Sequence, residues 1–176
     1  MLDAAAPAFE LPEIITAWFA ERGWTPRPHQ LDVTARALRG ESALLIAPTG
    51  GGKTLAGFLA SLVELNEAPS NRPRLHTLYI SPLKALAVDV ERNLQTPVAE
   101  MGLNIRIETR TGDTSAAKRQ RQRANPPDIL LTTPEQLALF VASDHARDFF
   151  QDLRCVIIDE IHAIAPSKRG DLLSLG

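Results

Sequence analysis

The sequence predicts an α/β domain built on a mainly parallel sheet with helices on both faces. Short apolar runs alternate with longer amphipathic stretches. The apolar runs are near-continuous, as in strands buried on both sides, rather than alternating with polar residues. A length of 176 residues suits one ordinary domain better than two.

Taken in order, two helical segments come first, residues 11–21 and 28–38, the second followed by Gly40 as a stop. Strands are expected at 43–47, 77–81, 105–109, 129–132 and 155–159. Helices are expected between them, at about 53–66, 83–101, 115–124 and 134–142. Residues 68–74 and 125–128 are rich in Pro and Asn and suit helix-to-strand loops. Strand, helix and parallel strand then follow one another by right-handed crossovers. Residues 1–40 form an N-terminal helical part, and 41–176 the main domain.

Composition excludes several classes. Hydrophobic residues at 44% with charged residues at 23% rule out disordered and collagen-like chains. The longest apolar runs fall far short of the roughly 18 residues a membrane span needs, so no membrane partner is expected. Asp3, Glu10, Glu13 and Glu21 precede the first basic residue, Arg22, the reverse of a secretory leader. With Cys155 as the single cysteine, neither an internal disulfide nor a cysteine metal cluster is possible. The expected location is the cytoplasm. A net charge of −2 gives no global pull toward nucleic acid, so any such binding rests on local patches.

Chemistry concentrates in two places. After the apolar run 43–47 comes Pro48-Thr-Gly-Gly-Gly-Lys-Thr54, then a helical pattern. Consecutive glycines let backbone N–H groups converge on phosphate oxygens, and the helix that follows presents its positive end to the same anion. Gly50, Gly51 and Gly52 would cradle the phosphates, Lys53 reach the terminal ones, and the Thr54 hydroxyl ligate Mg²⁺. Ala47 stands where the strict pattern has Gly, so the loop is a variant form. The second place is Cys155-Val-Ile-Ile-Asp-Glu160, an apolar strand ending in two acids. Asp159 would support the metal, and Glu160 would orient and deprotonate the attacking water. His162 is either a relay between nucleotide and nucleic acid or a structural histidine.

With these residues in hand the chain resembles the DExH-box helicases of superfamily two, through Ala-Pro-Thr-Gly-Gly-Gly-Lys-Thr and Asp159-Glu-Ile-His162. Trp24-Thr-Pro-Arg-Pro-His-Gln30 resembles the family's Q motif. Tyr79-Ile-Ser-Pro-Leu-Lys-Ala-Leu86 resembles motif Ia, Thr111-Gly-Asp113 motif Ic, and Thr132-Thr-Pro-Glu-Gln-Leu137 motif Ib. The wording of these strings, with Ser167-Lys-Arg-Gly-Asp, is most similar to the Lhr branch and its bacterial ligase-associated DNA-damage-response members.

The resemblance implies a RecA-like first motor domain that couples ATP hydrolysis to movement along single-stranded or partly duplex nucleic acid, DNA favoured, with ATP and Mg²⁺ as cofactors. It implies that Gln30 reads adenine and that Lys84, Thr111, Gly112 and Thr133 line the strand's backbone. It also implies a Ser-Ala-Thr strand and a second RecA-like domain carrying arginine fingers, neither present in these 176 residues. The fold is therefore expected to be incomplete at its C-terminal end, and the chain alone to be inactive in unwinding.

Local chemistry offers other roles for the same residues. Thr133 and Gln136 would form a capping box around Pro134, and Lys84 is equally suited to a solvated helix position. Residues 105–125 carry six cations against Glu108 and Asp113. Most of these cations fall on a helix with only alanines to bury, which reads as a solvated face or a nucleic-acid contact.

Overall fold

The computed structural model describes residues 9–48 and 50–164, so Ser167-Lys-Arg-Gly-Asp lies outside the described residues. The chain forms two compact units, one running to Glu67 and the other from Ala68.

The first unit is helical. Helix α1 spans Glu13–Glu21 and buries Ile15, Trp18 and Phe19. Trp18 meets Phe19 and Trp24 edge to face, at centroid separations of 5.1 and 5.8 Å, the arrangement aromatic quadrupoles favour. Helix α2, Pro28–Leu38, opens on a proline, whose fixed φ suits the first helical turn. It packs on α3, Lys53–Glu67.

Residues 43–47 do not form the expected strand. They pair with no neighbour among the described residues, and Leu44 and Ile46 stand 72% and 87% exposed. An apolar run becomes a strand only when another strand accepts its backbone hydrogen bonds, and here no such partner is in place.

The second unit is the α/β body. Its strands are β1 (Thr77–Ile80), β2 (Ile107–Arg110), β3 (Ile129–Thr132) and β4 (Cys155–Ile158). All pair in parallel, in the order β2-β3-β1-β4. Burial follows that order. The central β1 and β3 are buried at every position, whereas edge strand β4 alternates between half-buried and exposed. Helix α4 (Lys84–Glu100) leads to β2, α5 (Ala116–Ala124) to β3, and α6 (Pro134–Val141) with α7 (Ala146–Phe150) to β4. A short α8, Ile161–Ile164, follows; α7 and α8 are too short for periodicity to reveal. The core cluster joins Leu75, Leu78, Ile80 and Leu130 to Leu137, Phe140 and Phe149.

The expected capping box at α6 is absent: Thr133 makes no side-chain cap bond. Pro134 has no N–H to satisfy, and the helix starts through the backbone bond from Leu137 N–H to the Thr133 carbonyl at 3.0 Å. The reciprocal half of a capping box occurs instead at α2, where Gln30 Oε1 accepts from the Arg27 N–H at 2.8 Å.

Candidate functional site

In the first unit the glycine loop has a backbone reason for each glycine. Gly50 and Gly52 hold φ of +79° and +73°, open to glycine at little cost. A Cβ on Gly51 would lie 2.8 Å from the Pro48 carbonyl oxygen. The loop runs into the start of α3, where free N–H groups and the helix dipole favour an anion. Thr54 is exposed there. Lys53 Nζ donates to the Ala47 carbonyl at 3.0 Å, so its amine lies back over the beginning of the loop.

Helix α2 grips this loop from the side. Gln30 is 4% exposed and donates through Nε2 to the Gly52 carbonyl at 3.3 Å. With Oε1 on the Arg27 N–H, its amide keeps one N–H and one lone pair for a further partner. His29 Nε2 lies 2.9 Å from the Gly51 carbonyl oxygen; a carbonyl only accepts, so that ring nitrogen carries the proton. His29 escaped the sequence reading, because a histidine before a glutamine has no distinctive signal.

In the second unit, strand register gathers the remaining candidates. Ile80 pairs with both Thr132 and Ile158, and Arg110 with Thr132, so the residues that follow all leave the same edge of the sheet. Ser81–Lys84, Thr111–Thr114, Thr133–Pro134 and Asp159–Glu160 are thereby brought to the carboxyl ends of parallel strands, where open α/β sheets bind ligands.

Asp159 is held from two sides. Its Oδ2 accepts from the Tyr79 hydroxyl at 2.5 Å and its Oδ1 from the Glu160 N–H at 2.9 Å. Burial, reinforced by the bond to Asp159, raises the Tyr79 phenol above its ordinary pKa, so it stays a donor. Tyr79 was legible in principle: the single tyrosine of the chain, inside an apolar run, needs a partner for its hydroxyl. Glu160 has φ +49°, unlike any other described residue except glycine. His162 Nε2 lies 3.3 Å from Glu160 Oε2.

The loops from β1 and β2 meet through Lys84 Nζ and Asp113 Oδ2 at 2.6 Å. Both side chains are mostly exposed, so the pair adds at most about 1 kcal/mol. Lys84 is the first residue of α4, where the helix dipole disfavours a cation and Asp113 offsets it. Thr111 and Thr133 are buried. Below them the Arg110 guanidinium lies 4.0 Å from the Phe140 ring centroid. Burial, with Arg123 and Arg119 nearby, lowers its pKa to about 10.

A family model described as DEAD/DEAH box helicase matches residues 27–175. The chain belongs to that family. Among relatives, an Lhr helicase of Mycolicibacterium smegmatis is 45% identical over 98% of this chain. An Lhr helicase/uracil glycosylase of Escherichia coli is 42% identical over 99% of it. The match covers 12% and 13% of those two proteins, so the chain spans a small part of their length. A solved structure of Mycobacterium smegmatis helicase Lhr bound to ssDNA and AMP-PNP superposes with a TM-score of 0.84 at 43% identity, over 94% of this chain and 22% of that one. The parallel sheet and its helices are thus those of a RecA-like helicase domain. Among the described residues no helix is long and apolar enough to cross a membrane.

Proposed function

We propose that the chain is the ATP-binding portion of a cytoplasmic Lhr-type DNA helicase or translocase serving DNA repair. Residues 1–40 carry the N-terminal helices and the Q motif, and 41–176 belong to the first motor domain, which works against a second RecA-like domain. The observation that carries this reading is the glycine loop, two of whose glycines hold positive φ at the start of α3, within a chain of helicase family. DNA is favoured as partner because the similar Lhr structure was bound to ssDNA.

In this reading Gln30 presents its remaining N–H and lone pair to the adenine edge. Gly50, Gly51, Gly52 and Lys53 hold the phosphates. Mg²⁺ is a hard cation that prefers oxygen, and each unit by itself offers such a donor: the first the exposed Thr54 hydroxyl, the second an Asp159 carboxylate oriented by two hydrogen bonds. When bound, Mg²⁺ neutralises charge on the phosphates. Glu160 takes the proton of the attacking water, and His162, beside it, passes the state of the site to the nucleic acid. Lys84, Thr111, Gly112 and Thr133 follow the strand's backbone, which fixes position without reading sequence.

The test is a pair of variants. In a protein extended through the second RecA-like domain, Lys53→Ala should lower ATP hydrolysis by at least about 10²-fold, since a preorganised charge is lost. Glu160→Gln should still bind Mg²⁺–ATP while losing turnover. Wild-type turnover in the first would sink the assignment, and failure of the second to bind ATP would show the roles given to the two acids to be wrong.

A further inference from the structure

Helix α5 looks solvated in sequence, yet one of its cations is committed to the loop after β2. Arg119 donates through Nε to the Thr114 carbonyl at 2.9 Å, and through Nη2 to the carbonyls of Thr111 and Gly112 at 3.2 and 3.0 Å. The loop is closed further by Thr111 N–H on Thr114 Oγ1 at 2.9 Å and by Thr114 N–H on the Thr111 carbonyl at 3.2 Å. Helix α5 is itself anchored. Ser115 caps it through the Lys118 N–H at 3.3 Å, while Arg121 and Gln122 reach Glu108 on β2 at 3.0 and 2.9 Å. The brace is therefore fixed to the sheet before it touches the loop.

From this geometry we infer that Arg119 is the positioning residue of the strand-binding loop 111–114, an inference that rests on the reading of that loop as a nucleic-acid contact. Three carbonyl dipoles in one turn would repel a phosphate. A guanidinium that takes all three on one side cancels that field and holds the turn in a single shape, so the loop meets the strand without paying an ordering cost. Arg119 acts through the loop and is not itself the group that neutralises a phosphate.

The two roles differ in salt dependence, because each cation that neutralises a phosphate contributes about one unit to the slope of log affinity against log salt. Binding of the full chain to a fluorescein-labelled oligothymidylate, read by anisotropy across a salt series, should weaken about tenfold in Arg119→Ala with the slope unchanged. Thr114→Val, which removes the Oγ1 brace and no charge, should give the same signature in smaller measure. Arg147→Ala, which removes an exposed cation from α7, should leave affinity within about twofold. ATP affinity, measured alongside, should stay the same in Arg119→Ala, which separates a local loop effect from loss of fold. Unchanged oligonucleotide affinity in Arg119→Ala, a joint loss of ATP affinity, or a slope reduced by about one unit overturns the inference while leaving the function reading intact. Absence of binding by the unsubstituted chain overturns both.

Discussion

Gly52 shows how a missing side chain makes room for a neighbour. A Cβ there would lie 2.7 Å from Gln30 Nε2, whereas one on Gly50 would meet open space, though both residues hold positive φ. Both alanine variants carry the backbone strain of a left-handed residue, about 1 to 2 kcal/mol. Only Gly52→Ala must also displace Gln30 from its two hydrogen bonds. Titration with a fluorescent ATP analogue should show about a tenfold larger affinity loss for Gly52→Ala than for Gly50→Ala; equal losses would mean that Gln30 does not shape the loop. His76 makes a pH statement of its own. It is 3% exposed, and burial, with Arg74 and Arg154 nearby, lowers its pKa from 6.5 to about 4. Between those values the unfolded chain binds the proton and the folded chain does not, so acid favours unfolding. Stability should fall by roughly 1 to 3 kcal/mol as pH drops from 6.5 to 4, with no further loss from this residue below 4. Urea midpoints across that range should show a shallower fall in His76→Gln, and an identical fall would assign the effect elsewhere.

Elements owe their stability to position in the sheet more than to propensity. Ile129 begins β3, lies fully buried, and pairs with Ile107 on one side and Thr77 on the other. Removing its side chain leaves a cavity on the buried face of a strand held in place by pairing on both sides, which limits collapse. Ile129→Ala should therefore cost about 2 to 5 kcal/mol. Leu139 on α6 is equally apolar but 66% exposed, and Leu139→Ala should stay within about 0.5 kcal/mol. Chemical denaturation of the two variants checks the contrast. Helix α5 illustrates the opposite case: it buries only Gln122 and is held by polar bonds to β2 and the loop beyond it, an anchorage that hydrophobic periodicity cannot report.

At the scale of the whole molecule the sheet edge matters. Among the described residues strand β4 pairs on one side only, and Val156 on it stands 50% exposed. The apolar run 43–47 likewise pairs with no described strand, and Leu44 and Ile46 in it are exposed. Unpaired strand edges flanked by apolar side chains template association. The chain should oligomerise as its concentration rises, and Val156→Lys should lower that tendency by placing a charge on the edge. Sedimentation velocity over a concentration series tests this, and a wild-type monomer throughout would show that the edge is covered. The α/β class, three of the four strands to within a residue and the limits of α2 were legible in the sequence, as were the glycine string and the Asp-Glu pair to which the proposed chemistry is assigned. Those signals are local: a glycine string, an apolar run and a helix period are each written in consecutive residues. Only the tertiary structure decided that 43–47 stays unpaired, that Thr133 leaves its helix uncapped while Gln30 caps another, and that Tyr79 and Arg119 serve Asp159 and the 111–114 loop. A strand needs a partner distant in the chain. A side-chain hydrogen bond between residues 79 and 159 depends on the parallel register of β1 and β4, which no run of neighbouring residues encodes.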